Sequence, residues 1–519
     1  MRKELNLTLP PKIAFEEILL RNIVCQKLSL SLQDKLVFRI THRDIDARSR
    51  EIKVNLRLEA YIGESPAPLF VPEFKNVGKE KEAVIVGAGP AGLFAALRFL
   101  ELGIRPVIVE RGADVFKRRE DLKDLYANRI INPDSNYCFG EGGAGAYSDG
   151  KLYTRSSKRG DVKRVLAALV HFGAKEEILY DSRPHIGSDK LPQIISSIRK
   201  TIMEFGGVIR FESKVTDLLI QNDEIQGVQV NNNETVKGIG VVLATGHSAR
   251  DIYELLHSKK IHLEAKPFAV GLRAEHPQTI MDCMQYHTST RDKHLPPASY
   301  SLVAKTCIDG KKRGVFSFCM CPGGTIVPAA TAPGEIVVNG MSNSSRSSPF
   351  ANSGVVTAIE MEDLSEYERY GALAGVRFQR EIEARAFEMA GKNLKAPAQG
   401  LNDFVWEKQS ARSLESSYSL GIECTDLSAV LPDFVARRLR EGLKGFERKR
   451  NGFLCKDAVL VGVETRTSSP VRIPRDPDTS EHIQIKRLYP CGEGAGYAGG
   501  ILSSALDGVN SADCLAKRS

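Results

Sequence analysis

No uninterrupted apolar run in this 519-residue chain approaches the ~20 residues that a membrane span requires. Residues 1–17, MRKELNLTLPPKIAFEE, carry acids and prolines where a secretory signal needs an apolar core. A cytoplasmic location without membrane attachment is therefore expected. Ten cysteines are present, but none falls in a CxxC or in a Cys/His array with metal-ligand spacing. The closest pair, Cys319 and Cys321 in "CMC", is CxC. A zinc site and a disulfide framework are both excluded, which fits a reducing compartment. Internal repeats are absent. So is a strong charge bias: the net charge of +8 is modest for this length, with Lys and Arg interleaved among Asp and Glu. Nothing in that balance points to nucleic acid. The densest basic stretch, RRLREGLKGFERKR at 437–450, reads as a helix with a solvated face.

The remaining composition, 42% hydrophobic and 26% charged, belongs to an ordinary globular protein long enough for two or three domains. Residues 1–64 predict a small α+β domain. In it the strand LNLTL leads to a helix over 11–26 and then to two strands starting at Leu36 and Glu51, the second alternating charged and apolar residues. Residues 65–82, rich in proline and without periodicity, read as a linker. A βαβ unit begins at Glu82. Further on, LPQIISSIRKTIMEFG reads as a helix, VTDLLIQNDEIQGVQV as a hairpin turning on Asn-Asp, and GVVLATG as a buried strand. Strands follow in 266–340, and helices are expected near 355–392 and 428–449.

The strongest chemical signal is VIVGAGPAG at 84–92. Gly87, Gly89 and Gly92 form GxGxxG directly after an apolar strand and at the start of a helix. That is the context the dinucleotide fingerprint needs. Gly87 permits the tight turn, Gly89 lets the backbone approach a pyrophosphate, and Gly92 lets helix and strand pack closely. Glu110, at the end of the next strand, is placed to bind ribose hydroxyls. A second glycine cluster, GEGGAGAYSDGKL, offers backbone amides at Gly142, Gly143 and Gly145, with Ser148, Asp149 and Lys151 nearby. A third, LYPCGEGAGYAGGI, ends in a helix whose apolar residues Ile501, Leu502, Ala505, Leu506, Val509 and Ala512 share one face. The N-terminus of that helix carries partial positive charge.

LATGHSARD resembles the strand-end ATG of glutathione-reductase-type flavoproteins, and LYPCGEGAGYAGGILSSALDG resembles their second FAD motif. Together with GEGGAGAYSDGKL, FSFCMCPGG, VVNGMS and ETRTSSPVRI, these segments are similar to the family of uncharacterised FAD-dependent dehydrogenases, or NAD(P)/FAD-dependent oxidoreductases. The similarity runs over most of 83–519 and includes the short N-terminal unit. It implies an α/β fold. A Rossmann-like FAD-binding domain of glutathione-reductase type would be assembled from discontinuous segments, 83–250 and 461–519. A mixed, largely β substrate domain would span 251–460, and the small α+β domain would precede them. The implied cofactor is FAD, with a hydride passing at flavin N5. The implied contacts are Gly87, Gly89, Pro90, Ala91, Gly92, Glu110, Arg111, Gly142, Gly143, Gly145, Ser148, Lys151, Val215, Ala244, Thr245, Gly246, Gly492, Glu493, Gly499, Gly500 and Ile501. Glu493 stands where that superfamily usually has Asp at the ribityl chain.

No metal is expected. A second GxGxxG after a second buried strand is missing, as is a CxxxxC near the first helix. NAD(P)H, as an electron donor, would thus bind transiently, and disulfide reductase activity of the two-dinucleotide class is not expected. The substrate is expected to be a small, anionic molecule. Catalytic candidates are Arg466 as a substrate clamp, Glu464 and Lys151; the alternative for the Glu464–Arg475 segment is an ion-pair cluster joining two domains. Ser248 reads as a helix cap with His247 positional. Cys319 and Cys321 read as small buried residues or, alternatively, as a redox pair. The rival functions are an RNA-modifying flavoprotein and a non-catalytic flavin-binding sensor or scaffold.

Overall fold

The computed structural model describes residues 1–31, 33–153, 160–410 and 413–518. The strand Glu82–Val86 lies at the centre of a five-stranded parallel sheet. Arg105–Val109 and then Val208–Arg210 lie on one side of it, Val241–Leu243 and then Leu488–Pro490 on the other. These strands are near-continuous apolar runs because both sheet faces are covered. One face carries the helices Pro90–Leu102, Leu191–Glu204 and Ile501–Ala516 in a common core. The other meets the antiparallel sheet built on Val215–Gln221 and Glu224–Val230. The predicted Asn-Asp turn is present, and both residues adopt positive φ, 53° and 57°, as such a turn demands.

A second, seven-stranded sheet has the order Val303–Ile308, Lys311–Cys321, Phe350–Ile359, Phe268–Pro277, Val459–Glu464, Ala396–Gly400, Ile422–Cys424. It is antiparallel except for its last pair. The helices Ala374–Met389 and Asp433–Lys449 bury their apolar faces against it. At the N-terminus, Arg2–Leu9, Lys53–Ile62 and Leu36–Asp46 form a three-stranded antiparallel sheet backed by two short helices.

Several expectations need correction. The helix expected over 11–26 is two helices, Pro11–Phe15 and Glu17–Leu28, because Glu16 adopts an extended backbone. The stretch 355–359 is the end of a strand. Its β-branched Val355, Val356 and Thr357 are buried on both sides, where the pleated surface accommodates them best. Segment 65–82 has almost no regular structure but is docked: the Val77 amide donates to Phe205 at 2.8 Å, and Phe70 and Phe74 pack into the core of the parallel sheet. The basic helix near 437–450 keeps an exposed face at Glu441, Arg448 and Lys449, but several of its cations are paired. Arg437 binds Asp309 at 2.9 Å, Arg438 is buried against Asp363 at 3.0 Å, and Lys444 binds Glu441. Among the described residues no helix is long and apolar enough to cross a membrane.

Candidate functional site

Four backbone segments meet at the ends of the central parallel strands. The first is the turn Gly87–Gly92. Gly87 has φ +103°, a region that side chains rarely adopt, and a Cβ there would lie 2.5 Å from the Ala244 carbonyl. A Cβ on Gly92 would collide with the Gly87 carbonyl, so the helix Pro90–Leu102 starts flush against its own turn. The second segment is the loop at 142–145. The Gly142 amide donates to Ala88 O at 2.8 Å, a Cβ on Gly143 would stand 3.2 Å from Gly89 Cα, and one on Gly145 would touch Ile501 and Pro90. Ala244–Gly246 forms the third segment, its Ala244 amide donating to Val86 O at 2.9 Å. The fourth is Gly492–Ile501, in which Gly494 packs on the Gly246 backbone and the Gly492 amide donates to Asp507 Oδ2 at 2.7 Å.

Four glycines in these segments face open space. A Cβ on Gly89, Gly246, Gly499 or Gly500 would meet no atom within 4 Å. Two helices begin there, at Pro90 and at Ile501, and neither has a side-chain cap. The amides of their first turns, of which Pro90 itself supplies none, have no side-chain cap, an arrangement that suits an anion. The two helices are locked together, since Gly508 sits directly on the Ala91 carbonyl. The glycines near residue 90 and those near residue 500 thus belong to one junction.

The side chains depart more from expectation. Glu110 is not a free ribose acceptor. Its Oε2 takes the Ala88 amide at 2.7 Å, and its Oε1 takes those of Gly112 and Gly140 at 3.0 and 2.9 Å. Three donors make it the pin that ties the glycine turn to the 140s loop, with only spare lone pairs left for a ligand. Arg111 binds Asp251 at 2.7 Å and lies 4.4 Å over the Phe139 ring. The Ser148 hydroxyl donates to Gly145 O and accepts from the Gly150 amide, so it serves its own turn. Val215 is a core residue packed with Val86, Val109 and Leu243. Ser248 is not a cap: the residue before the helix Arg250–Ser258 is Ala249, and the Ser248 carbonyl accepts from Arg250. Glu493 Oε2 lies 3.5 Å from His247 Nδ1, whose other ring nitrogen approaches Arg466 O at 3.0 Å.

Arg466 is not a substrate clamp. It is buried and engages Thr331 at 2.7 Å, Glu335 at 2.8 Å and Glu383 at 2.9 Å, while Arg250 holds the other side of Glu383 at 2.7 and 2.8 Å. This is the ion-pair alternative. Glu464 is likewise spent: Arg273, fully buried, donates to it at 2.5 Å and to Asn352 at 2.7 Å. Among the three catalytic candidates Lys151 differs. Its side chain is 34% exposed, and its charged neighbour Asp149, at 3.7 Å, is already held by Arg346 at 2.8 Å.

Two structural residues gave little or no warning in the sequence. Arg118, fully buried, donates to the carbonyls of Asn136, Glu141 and Gly143 and so shapes the second glycine loop. It stands in a charged run, KRRED, that reads as a solvated helix. Asp507 receives the Gly492 amide and both arms of Arg475, at 3.0 and 2.6 Å. Its only signal was an acid set among the apolar positions of the closing helix.

An uncharacterised protein from Clostridium beijerinckii is 39% identical to this chain over 509 residues, covering 94% of each. The chain belongs to that protein's family. Residues 267–467 match the family described as "FAD-dependent protein, C-terminal domain-like", and residues 1–61 match a domain of unknown function. A thiamine thiazole synthase from Aeropyrum pernix is 26% identical over 183 residues, 32% of this chain and 55% of that protein. Among solved structures, a glycine oxidase from Bacillus cereus aligns over 85% of this chain and 96% of its own at 13% identity, with a TM-score of 0.31. The flavin-dependent brominase Bmp2 aligns over 85% and 79% at 11% identity, with a TM-score of 0.36. Overlays this loose carry no argument. The FAD-dependent family match over 267–467 supports a flavoprotein.

Proposed function

We propose that the protein binds FAD at the junction of the four glycine segments and is an FAD-dependent oxidoreductase acting by hydride transfer on a small anionic substrate. The observation that carries this reading is that mutually contacting segments present bare backbone, at Gly89, Gly246, Gly499 and Gly500, with Gly89 and Gly500 heading two uncapped helices. A dinucleotide needs such a cradle: close backbone approach, and amides aimed at negative charge. The residues present fit the cofactor. In this reading 83–250 and 461–519 form a discontinuous, glutathione-reductase-type FAD domain. Residues 251–460 supply the substrate domain, 1–64 an appended unit and 65–82 its connection, within a cytoplasmic protein.

Bound there, FAD supplies the two-electron chemistry. The chain's own part is positional and electrostatic. The turn at Gly89 and the helix at Pro90 hold the diphosphate, and the helix at Ile501 presents its positive end to the ring system. Glu110 keeps the turn and the 140s loop in register. Lys151, which follows the loop that packs against Gly89 and Ile501, is the one of the three candidates not locked in a buried ion pair, and its ammonium would hold a substrate anion.

Anaerobic titration tests this. Adding NADH, NADPH or a panel of small carboxylate donors to the yellow protein should bleach the flavin band with at least one of them. Lys151→Met should retain FAD but need roughly 10- to 100-fold more of an anionic donor, the loss expected for one charge-assisted contact. A flavin that no donor reduces would favour the sensor reading. A Lys151→Met protein titrating like the parent would remove Lys151 from the substrate site.

A further inference from the structure

Beside Lys151 lies the CxC pair, and its surroundings differ from those of the other cysteines. The strand Lys311–Cys321 loses register with its neighbour between Phe318 and Cys321. Within that irregularity Cys319 adopts φ +43°, so the backbone leaves the extended conformation at that residue before pairing resumes at Cys321. The Cys321 side chain turns toward residue 319, with Sγ 3.3 Å from the Cys319 carbonyl oxygen. Cys319 is exposed and Cys321 is buried. Two cations converge on the buried sulfur: Lys151 Nζ at 3.6 Å and Arg273 Nη2 at 3.7 Å, the latter also donating to Cys319 O at 2.8 Å. Lys151 itself follows the glycine loop that packs on Gly89 and Ile501.

We propose that Cys319 and Cys321 form a redox-active dithiol that exchanges with small-molecule disulfides. The exposed Cys319 sulfur attacks the external disulfide, forming a mixed disulfide and releasing one thiol. The Cys321 sulfur, within reach of Lys151 and Arg273, then attacks Cys319 Sγ, closing the internal S–S bond and expelling the second thiol. One external S–S bond breaks and one internal bond forms. The two cysteine protons leave on the two released thiols, so the external disulfide is the oxidant and the cysteine pair is oxidised. Cys319 reaches solvent, but desolvation of its sulfur by the packed atoms around it pushes the thiol up to about 11, against the pull of Lys151. The other titratable groups facing it are Cys321, Arg273 and Glu464. Only the thiolate attacks, so exchange should quicken as pH rises toward that value.

The inference goes beyond the proposed function and is read without turnover, so even a protein that holds no FAD can pass or fail it. The full chain is incubated with hydroxyethyl disulfide, quenched in acid, alkylated and digested with trypsin. The tryptic peptide 314–346 holds just these two cysteines. It should appear unalkylated and two hydrogens lighter than the dithiol, increasingly with pH, while the exposed Cys307 and Cys424 give only mixed disulfides. Cys321→Ser should instead accumulate the mixed disulfide at Cys319. A parent peptide that stays alkylated at both sulfurs, or that halts at the mixed disulfide, overturns the proposal.

Discussion

Gly89→Val should leave the protein folded and strip it of FAD. The backbone at Gly89 is extended, φ −73° and ψ −178°, which any residue adopts, and a Cβ there meets nothing within 4 Å. A folded chain without cofactor therefore loses little. In the proposed complex the same space is taken by the diphosphate. Overpacking there costs about 1–3 kcal/mol or more, a fall in FAD affinity of roughly 10- to 100-fold at least. Gly87→Val is the contrast. With φ +103° and the Ala244 carbonyl 2.5 Å from the new Cβ, it should lower the melting temperature of the cofactor-free protein as well. Melting curves and FAD titration of the two variants separate backbone strain from ligand exclusion. If Gly89→Val retains FAD at the parent's affinity, the diphosphate does not lie over this turn.

The second large effect is expected at Glu383. This buried carboxylate accepts from Arg250, Arg466 and Thr465, and Glu335 completes the set. Although burial pushes the other way, Arg250 and Arg466 pull the Glu383 carboxyl down to about 2. Glu383→Gln would leave two buried guanidinium groups facing one remaining acid. Breaking such a pair costs about 3–5 kcal/mol, a fall in melting temperature on the order of 10 °C. The sign of the pH dependence follows from the depressed value. Stability from Glu383 is complete above its ordinary 4.5 and is lost as pH falls from there through about 2. Glu335, which burial and the Glu383 charge push upward, does not share that window. The parent should therefore show acid destabilisation in this range that Glu383→Gln lacks. A variant that melts like the parent would return Arg466 to the list of groups free for substrate.

Why some of this was legible and some was not has a physical basis. Gly87, Gly89 and Gly92 can be read from sequence because their constraints are local: a tight turn after a strand, and a helix starting on top of it. The closing helix from Ile501 was equally readable, since one buried face leaves a 3.6-residue period wherever the chain lies. Side-chain roles depend on partners far away in the chain. Arg466 looks available until Glu383, 83 residues off, and Glu335, 131 residues off, are brought against it. Glu110 has the right place for a ribose acid, but its carboxylate answers amides at 88, 112 and 140 that only folding assembles. The strand Phe350–Ile359 misleads for a related reason. Buried on both faces, it has no alternation to distinguish it from a helix.

The central claim is that the glycines near residue 90 and those near residue 500 enclose one FAD. The most direct measurement is the visible spectrum and FAD content of the purified protein, before and after incubation with FAD and gel filtration. About one FAD per chain, lost in Gly89→Val with the melting curve preserved, is the predicted result. A colourless protein that takes up no added FAD while remaining folded would contradict the account.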